Sequence, residues 1–213
     1  KQEELTKNMT ISMGYDYGSG LMIKTKWHPN TYVIGAHDVR TSIRYDEADP
    51  EKAIASAMHE CGHAIAAQKI PDEYYGMPIG TEPGMDMAEG ESRLFENNLG
   101  RSRAFWQFWL PQMKKEFEPE IDNVSLDDIY LHINRLNLGP IRTDADELSY
   151  ILHVIIRYEI ERDLFGGTIS VDDLPAIWNQ KYNEYLGINI TDDNEGVLQE
   201  DHWASGYFGY FPA

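Results

Sequence analysis

The chain has 213 residues, 42% of them hydrophobic, enough to bury a real core and to make one sizeable domain. Its net charge of −18 and pI near 4.6 argue against nucleic acid or an anionic membrane surface as partner, since both call for clustered lysine and arginine. A single cysteine, Cys61, excludes an internal disulfide and fits a reducing compartment, and no apolar run is long enough to span a bilayer.

The chain opens on a polar segment, Glu3 to Asn8, that reads as helix, followed by the glycine-punctuated stretch Gly14 to Gly20. Then the period changes. Leu21, Ile23, Thr25 and Trp27 alternate with Met22, Lys24 and Lys26, and Thr31–Ile34 and Arg40–Tyr45 read as two further strands. The expectation is a small antiparallel sheet, which either adds the backbone of a peptide to its edge or only packs.

Next comes the most informative stretch, Met58-His59-Glu60-Cys61-Gly62-His63. At 3.6 residues per turn, His59 and His63 share one helix face and both imidazoles can reach one metal ion; Glu60 sits about 100° round, placed to take a proton from water. From this composition an H-E-x-x-H occurs by chance only about 0.02 times in such a chain. The flanks agree: Asp49-Pro50-Glu51 is an N-cap, a proline at the first helical position and an acidic first turn, and Pro71 is a stop. A turn-rich connection runs from Pro71 to Pro83, and a second helix is expected over roughly 86–109. Beyond it, Ser125 caps a helix with Leu126, Ile129, Ile133 and Leu136 on one side; another spans Asp144 to Leu164; and Ser170 caps a last one that ends at Gly187. No repeat, low-complexity segment or Gly/Ser linker divides the chain.

A catalytic zinc site usually has three protein ligands and an open fourth position for water. The richest source of a third is Asp86-Met87-Ala88-Glu89-Gly90-Glu91-Ser92-Arg93-Leu94-Phe95-Glu96-Asn97, running on to Gly100-Arg101-Ser102-Arg103-Ala104-Phe105-Trp106. This stretch resembles the M32 family of metallocarboxypeptidases, which carry a His-Glu-Ser-Gln run before S-R-L-W-E-N and G-R-S-R-x-F-W. Four more stretches follow the family's order. They are Met13-Gly14-Tyr15-Asp16-Tyr17, Asp38-Val39-Arg40-Thr41-Ser42, Ile141-Arg142-Thr143-Asp144-Ala145-Asp146, and Gly196-Val197-Leu198-Gln199-Glu200-Asp201-His202-Trp203 with Gly209-Tyr210-Phe211-Pro212 after it. Three departures stand out: Ala88, Gly90 and Glu91 replace the histidine, serine and glutamine around the ligand, Glu200 replaces an aspartate, and Ser42 a threonine.

The resemblance implies a mainly α, zincin-like (neurolysin-like) fold with the small antiparallel sheet beside the active site, and residues 1–213 as the catalytic-region fragment of a longer carboxypeptidase. It places the third ligand on Glu89, with Glu91 a rival on another helix face. His59, His63 and Glu89 would then hold Zn2+, or Co2+ with the same donors, with Glu60 as general base. Glu96, on the face of Glu89, either supports a ligand imidazole or is solvated. An exopeptidase needs a cation for the free C-terminal carboxylate: Arg142, at a helix start, and Arg40 are the candidates, unless they pair with Asp144, Asp146 or Asp38. His202 is either an oxyanion donor or a histidine satisfied by Asp201. The expected reaction is release of C-terminal residues from a peptide by a cytoplasmic homodimer; the alternatives are an endo-acting oligopeptidase and a non-catalytic relative.

Overall fold

The computed structural model describes residues 1–81 and 84–210; Pro83 of the connection and Phe211 and Pro212 of the last matching stretch lie outside the described residues. They form two compact units, Lys1–Ile133 and a second from Asn134 onward, a division that no linker composition announces.

In the first unit the entry helix α1 is longer than expected, Gln2–Met13, and closes on Gly14, whose φ of 110° lies in the left-handed region that glycine tolerates. Three strands follow, β1 (Gly20–Lys24), β2 (Asn30–Gly35) and β3 (Asp38–Ile43), in the order β1-β3-β2. The expected antiparallel pairing holds for the β2–β3 hairpin, with Thr31 opposite Thr41, but β1 runs parallel to β3, with Leu21 opposite Arg40. Alternation tells which face a side chain takes and nothing about strand direction. Here β2 reverses the chain and β3 reverses it again between the other two.

Helix α2, Pro50–Gln68, bears out its punctuation: the Asp49 side chain accepts from the Lys52 N–H at 3.3 Å, and Pro50 sits in the first turn. It is the packing centre of the unit. Ile54 and Met58 pack with Leu5 and Met9 of α1 and with Phe105, Trp106 and Trp109, while Cys61 and Ala64 pack with Tyr15 and Val39. Burying a large side chain such as Ile54 or Met58 contributes about 1.5–3 kcal/mol relative to exposure. Burial also pushes the Cys61 thiol up to about 12, which keeps it an inert packing group.

The helix expected over 86–109 is interrupted. Helix α3 covers Met85–Arg93, one π-helical turn covers Leu94–Leu99, and α4 restarts at Arg103 and runs to Glu116. Ser102 caps the restart by accepting from the Phe105 N–H at 3.1 Å. Helix α5, Leu126–Ile133, begins at a reciprocal Ser125–Asp128 cap; Leu136, expected on its apolar face, lies beyond its end and is exposed.

In the second unit, α6 spans Glu147–Phe165 and α7 spans Leu174–Leu186, packed through Ile156, Ile160, Trp178, Tyr182 and Leu186. The helix expected from Asp144 starts later, because Arg142–Asp144 is a separate 3-10 turn and the Asp146 carboxylate caps α6. A short helix α8, Asp201–Ala204, follows. Among the described residues no helix is long and apolar enough to cross a membrane.

Candidate metal centre

The helical period of α2 puts His59 and His63 side by side, their Nε2 atoms 3.3 Å apart. Helix α3 brings a carboxylate to the same point: Glu89 Oε2 lies 3.5 Å from His59 Nε2, and Glu89 Oε1 3.8 Å from His63 Nε2. With one ligand atom from each residue, all three lie within 4.8 Å of one another. This close approach depends on Gly62, where a Cβ would stand 2.7 Å from the Ser92 Cα and 3.0 Å from the Glu91 carbonyl oxygen.

A four-coordinate ion with bonds of about 2.0–2.1 Å holds its ligand atoms roughly 3.3–3.4 Å apart, close to the separations present. The protonation states fit as well. The His59 Nδ1 faces Glu96 Oε2 at 2.9 Å, so Nδ1 donates there and Nε2 is the ring nitrogen that faces His63 and Glu89, able to ligate an ion in the neutral ring. Burial, with the His59 charge behind it, pushes His63 down to about 4, a neutral ligand imidazole. With Nδ1 of His59 committed to Glu96, the two Nε2 atoms and the Glu89 carboxylate are the donors that face one point. The site therefore fits a divalent ion.

Around the triad, burial would lower the His59 pKa, but the hydrogen bond and charge of Glu96 and the charge of Glu60 outweigh it and raise the value. Burial would raise Glu96, yet His59 and Arg93 hold it below the usual carboxylate range; Arg93 reaches the same Oε2 at 2.9 Å. Glu60, buried at 4% exposure, is pushed up by desolvation against the opposing pull of His59, Thr31 and His28. Its Oε2 accepts from the Thr31 hydroxyl at 2.7 Å. Ser92 donates toward Glu89 Oε2 at 3.2 Å, supplying a donor where Ala88 and Gly90 offer none. Glu91 is not part of the cluster.

Thr31, Ser92, Arg93, Gly62 and His28 carried no role in the sequence reading. Ser92 and Arg93 stand inside the matching stretch, which was the available signal; Thr31 and His28 had none, because their relation to Glu60 is long-range.

The remaining candidates are held by neighbours of their own. Arg40 lies on the face of β3 opposite Val39, which packs toward α2, and its guanidinium grips Asp38 at 2.7 and 2.6 Å. In the second unit, Arg142 opens the 3-10 turn rather than a helix: its Nη1 donates to the Tyr150 hydroxyl at 2.9 Å, and its backbone N–H donates to Gln199 Oε1 at 3.1 Å. His202 Nδ1 lies 2.7 Å from Glu200 Oε1 and 3.1 Å from Arg157 Nη2, against 3.8 Å from Asp201, so its neighbours are the substituted Glu200 and Arg157. Glu200 is itself paired with the buried Arg157, and the His202 ring stacks on Tyr210 at 4.6 Å.

A family model described as carboxypeptidase Taq (M32) metallopeptidase matches residues 1–213. The chain belongs to the M32 metallopeptidase family. Among its M32 relatives, carboxypeptidase 1 of Bacillus subtilis is 43% identical over all of this chain and 42% of that protein. Thermostable carboxypeptidase 1 of Thermus thermophilus is 38% identical over 99% of this chain and 41% of that protein. The crystal structure of the M32 carboxypeptidase from Deinococcus radiodurans superposes with a TM-score of 0.94 at 37% identity, over 99% of this chain and 42% of that one. The chain thus spans about two-fifths of the length of the relatives it matches.

Proposed function

We propose that this chain carries the metal centre of a metallocarboxypeptidase, with His59, His63 and Glu89 as ligands and Glu60 as general base. The observation that carries the reading is the convergence of two imidazole nitrogens and a carboxylate on one point, within 4.8 Å of one another. Zinc suits this nitrogen and oxygen donor set, and cobalt is accepted by it. Such an ion, when bound, acts as a Lewis acid and makes water a nucleophile near neutral pH.

The protein's own groups do the rest. Glu60 takes the proton of the attacking water and hands it to the leaving nitrogen, a role suited to a carboxyl raised by burial. Arg142, held by Tyr150 within the second unit, is the proposed cation for the free carboxylate of the substrate, on the strength of the family resemblance. His202, whose Nδ1 lies beside Glu200 within the second unit, is kept as the proposed oxyanion donor on the strength of the family resemblance. Arg40, already gripped by Asp38, is the weaker candidate for the carboxylate. Strand β2 is an edge of the sheet, which supports its proposed role in adding the substrate backbone. We further propose peptide substrates, a homodimeric protein and a cytoplasmic setting, the last supported by a single buried cysteine.

The deciding experiment compares hydrolysis of one short peptide with a free C-terminus and with an amidated one, by the metal-loaded protein. Hydrolysis of the free form alone is expected. Equal rates would assign an endopeptidase instead.

A further inference from the structure

Glu60 has three rotatable side-chain bonds, and a general base must present one oxygen at a set place. What holds it comes from another element. The Thr31 Oγ1 on β2 lies 2.7 Å from Glu60 Oε2 and 3.0 Å from the backbone carbonyl oxygen of the same residue. One hydroxyl therefore spans both ends of Glu60 and ties the carboxylate back toward its own main chain.

The hydroxyl is itself fixed. Thr31 stands opposite Thr41 in the hairpin register, and the neighbouring Asn30 N–H donates to the Ser42 Oγ at 3.1 Å. A β-branched side chain in a strand has restricted χ1 freedom, so the position of Oγ1 follows from the sheet. Thr31 tethers Oε2 and leaves Oε1 outside this contact.

We infer that Thr31 is the positioning residue for Glu60, set there by the β2–β3 register, so that the sheet edge beside the metal helix orients the base as well as packing against it. This rests on the reading of Glu60 as general base. The test uses metal-loaded wild type, Thr31→Val, which removes the hydroxyl at nearly constant shape, and Thr31→Ser, which restores it, with Glu60→Gln marking complete loss of the base. In crystal structures the Glu60 carboxylate is expected to leave its place in Thr31→Val and to keep it in Thr31→Ser. On the free-C-terminus peptide, kcat is expected to fall about 10- to 100-fold in Thr31→Val with KM within about twofold, and to recover in Thr31→Ser, metal content and melting temperature being retained. An unmoved Glu60 in Thr31→Val, an unchanged kcat, or a loss of metal and fold in step with activity would overturn the inference. A wild-type protein that hydrolyses neither peptide would sink the carboxypeptidase reading instead, and the Glu60 position would still decide the role of Thr31.

Discussion

Glu96 serves two groups with one oxygen. Oε2 accepts from His59 Nδ1 and from Arg93 Nη1, both at 2.9 Å, so it sets the tautomer of one ligand and is itself kept ionised by a cation. Replacing it with alanine frees the His59 ring to turn and leaves a guanidinium facing an emptied position. For Glu96→Ala, metal affinity is expected to drop about 10- to 100-fold with the helices retained, as measured by chelator competition alongside circular dichroism. Its place on the Glu89 face was legible in the sequence. That it meets His59 was not, because helical spacing gives faces within one element and no partner across two. The choice of Glu89 over Glu91 was legible from the ordered motifs around Ser92, and the packing of α3 on α2 supplies its physical basis by bringing residue 89 to the imidazoles.

At the scale of elements, α2 and α3 approach as closely as a glycine allows. A methyl group at residue 62 would meet the Ser92 backbone at 2.7 Å, a contact that rigid helices cannot accept without sliding apart. Gly62→Ala is expected to cost about 1–3 kcal/mol in denaturant unfolding and to weaken metal binding at the same time, because α3 carries Glu89. In the second unit the decisive element boundary is the start of α6. The Asp146 carboxylate accepts from Leu148 N–H, Ser149 N–H, Ser149 Oγ and Asn137 N–H at 2.9, 3.0, 2.6 and 3.1 Å. Burial would raise its pKa, but these bonds prevail and hold it below the ordinary 3.8. A depressed folded value makes its contribution complete above pH 3.8 and lost as pH falls through the folded value. Asp146→Ala is therefore expected to cost about 1–2 kcal/mol at neutral pH, with the gap to wild type closing as urea melts are repeated below about pH 4.

For the whole molecule, the net charge of −18 sets a self-repulsion that salt screens. Raising monovalent salt from about 10 mM to 150 mM shortens the Debye length from about 30 to 8 Å, so the melting temperature is expected to rise over that range. A flat response would mean that the acidic groups are compensated locally. Only the tertiary structure decided that β1 joins β3 in parallel, that the expected helix over 86–109 breaks at a π turn, and that Thr31, Ser92 and Glu96 surround the triad. The physical reason is one of range. A helix face and its caps are set by neighbours three or four residues away, whereas a hydroxyl 29 positions before its carboxylate meets it only through the packing of a sheet on a helix.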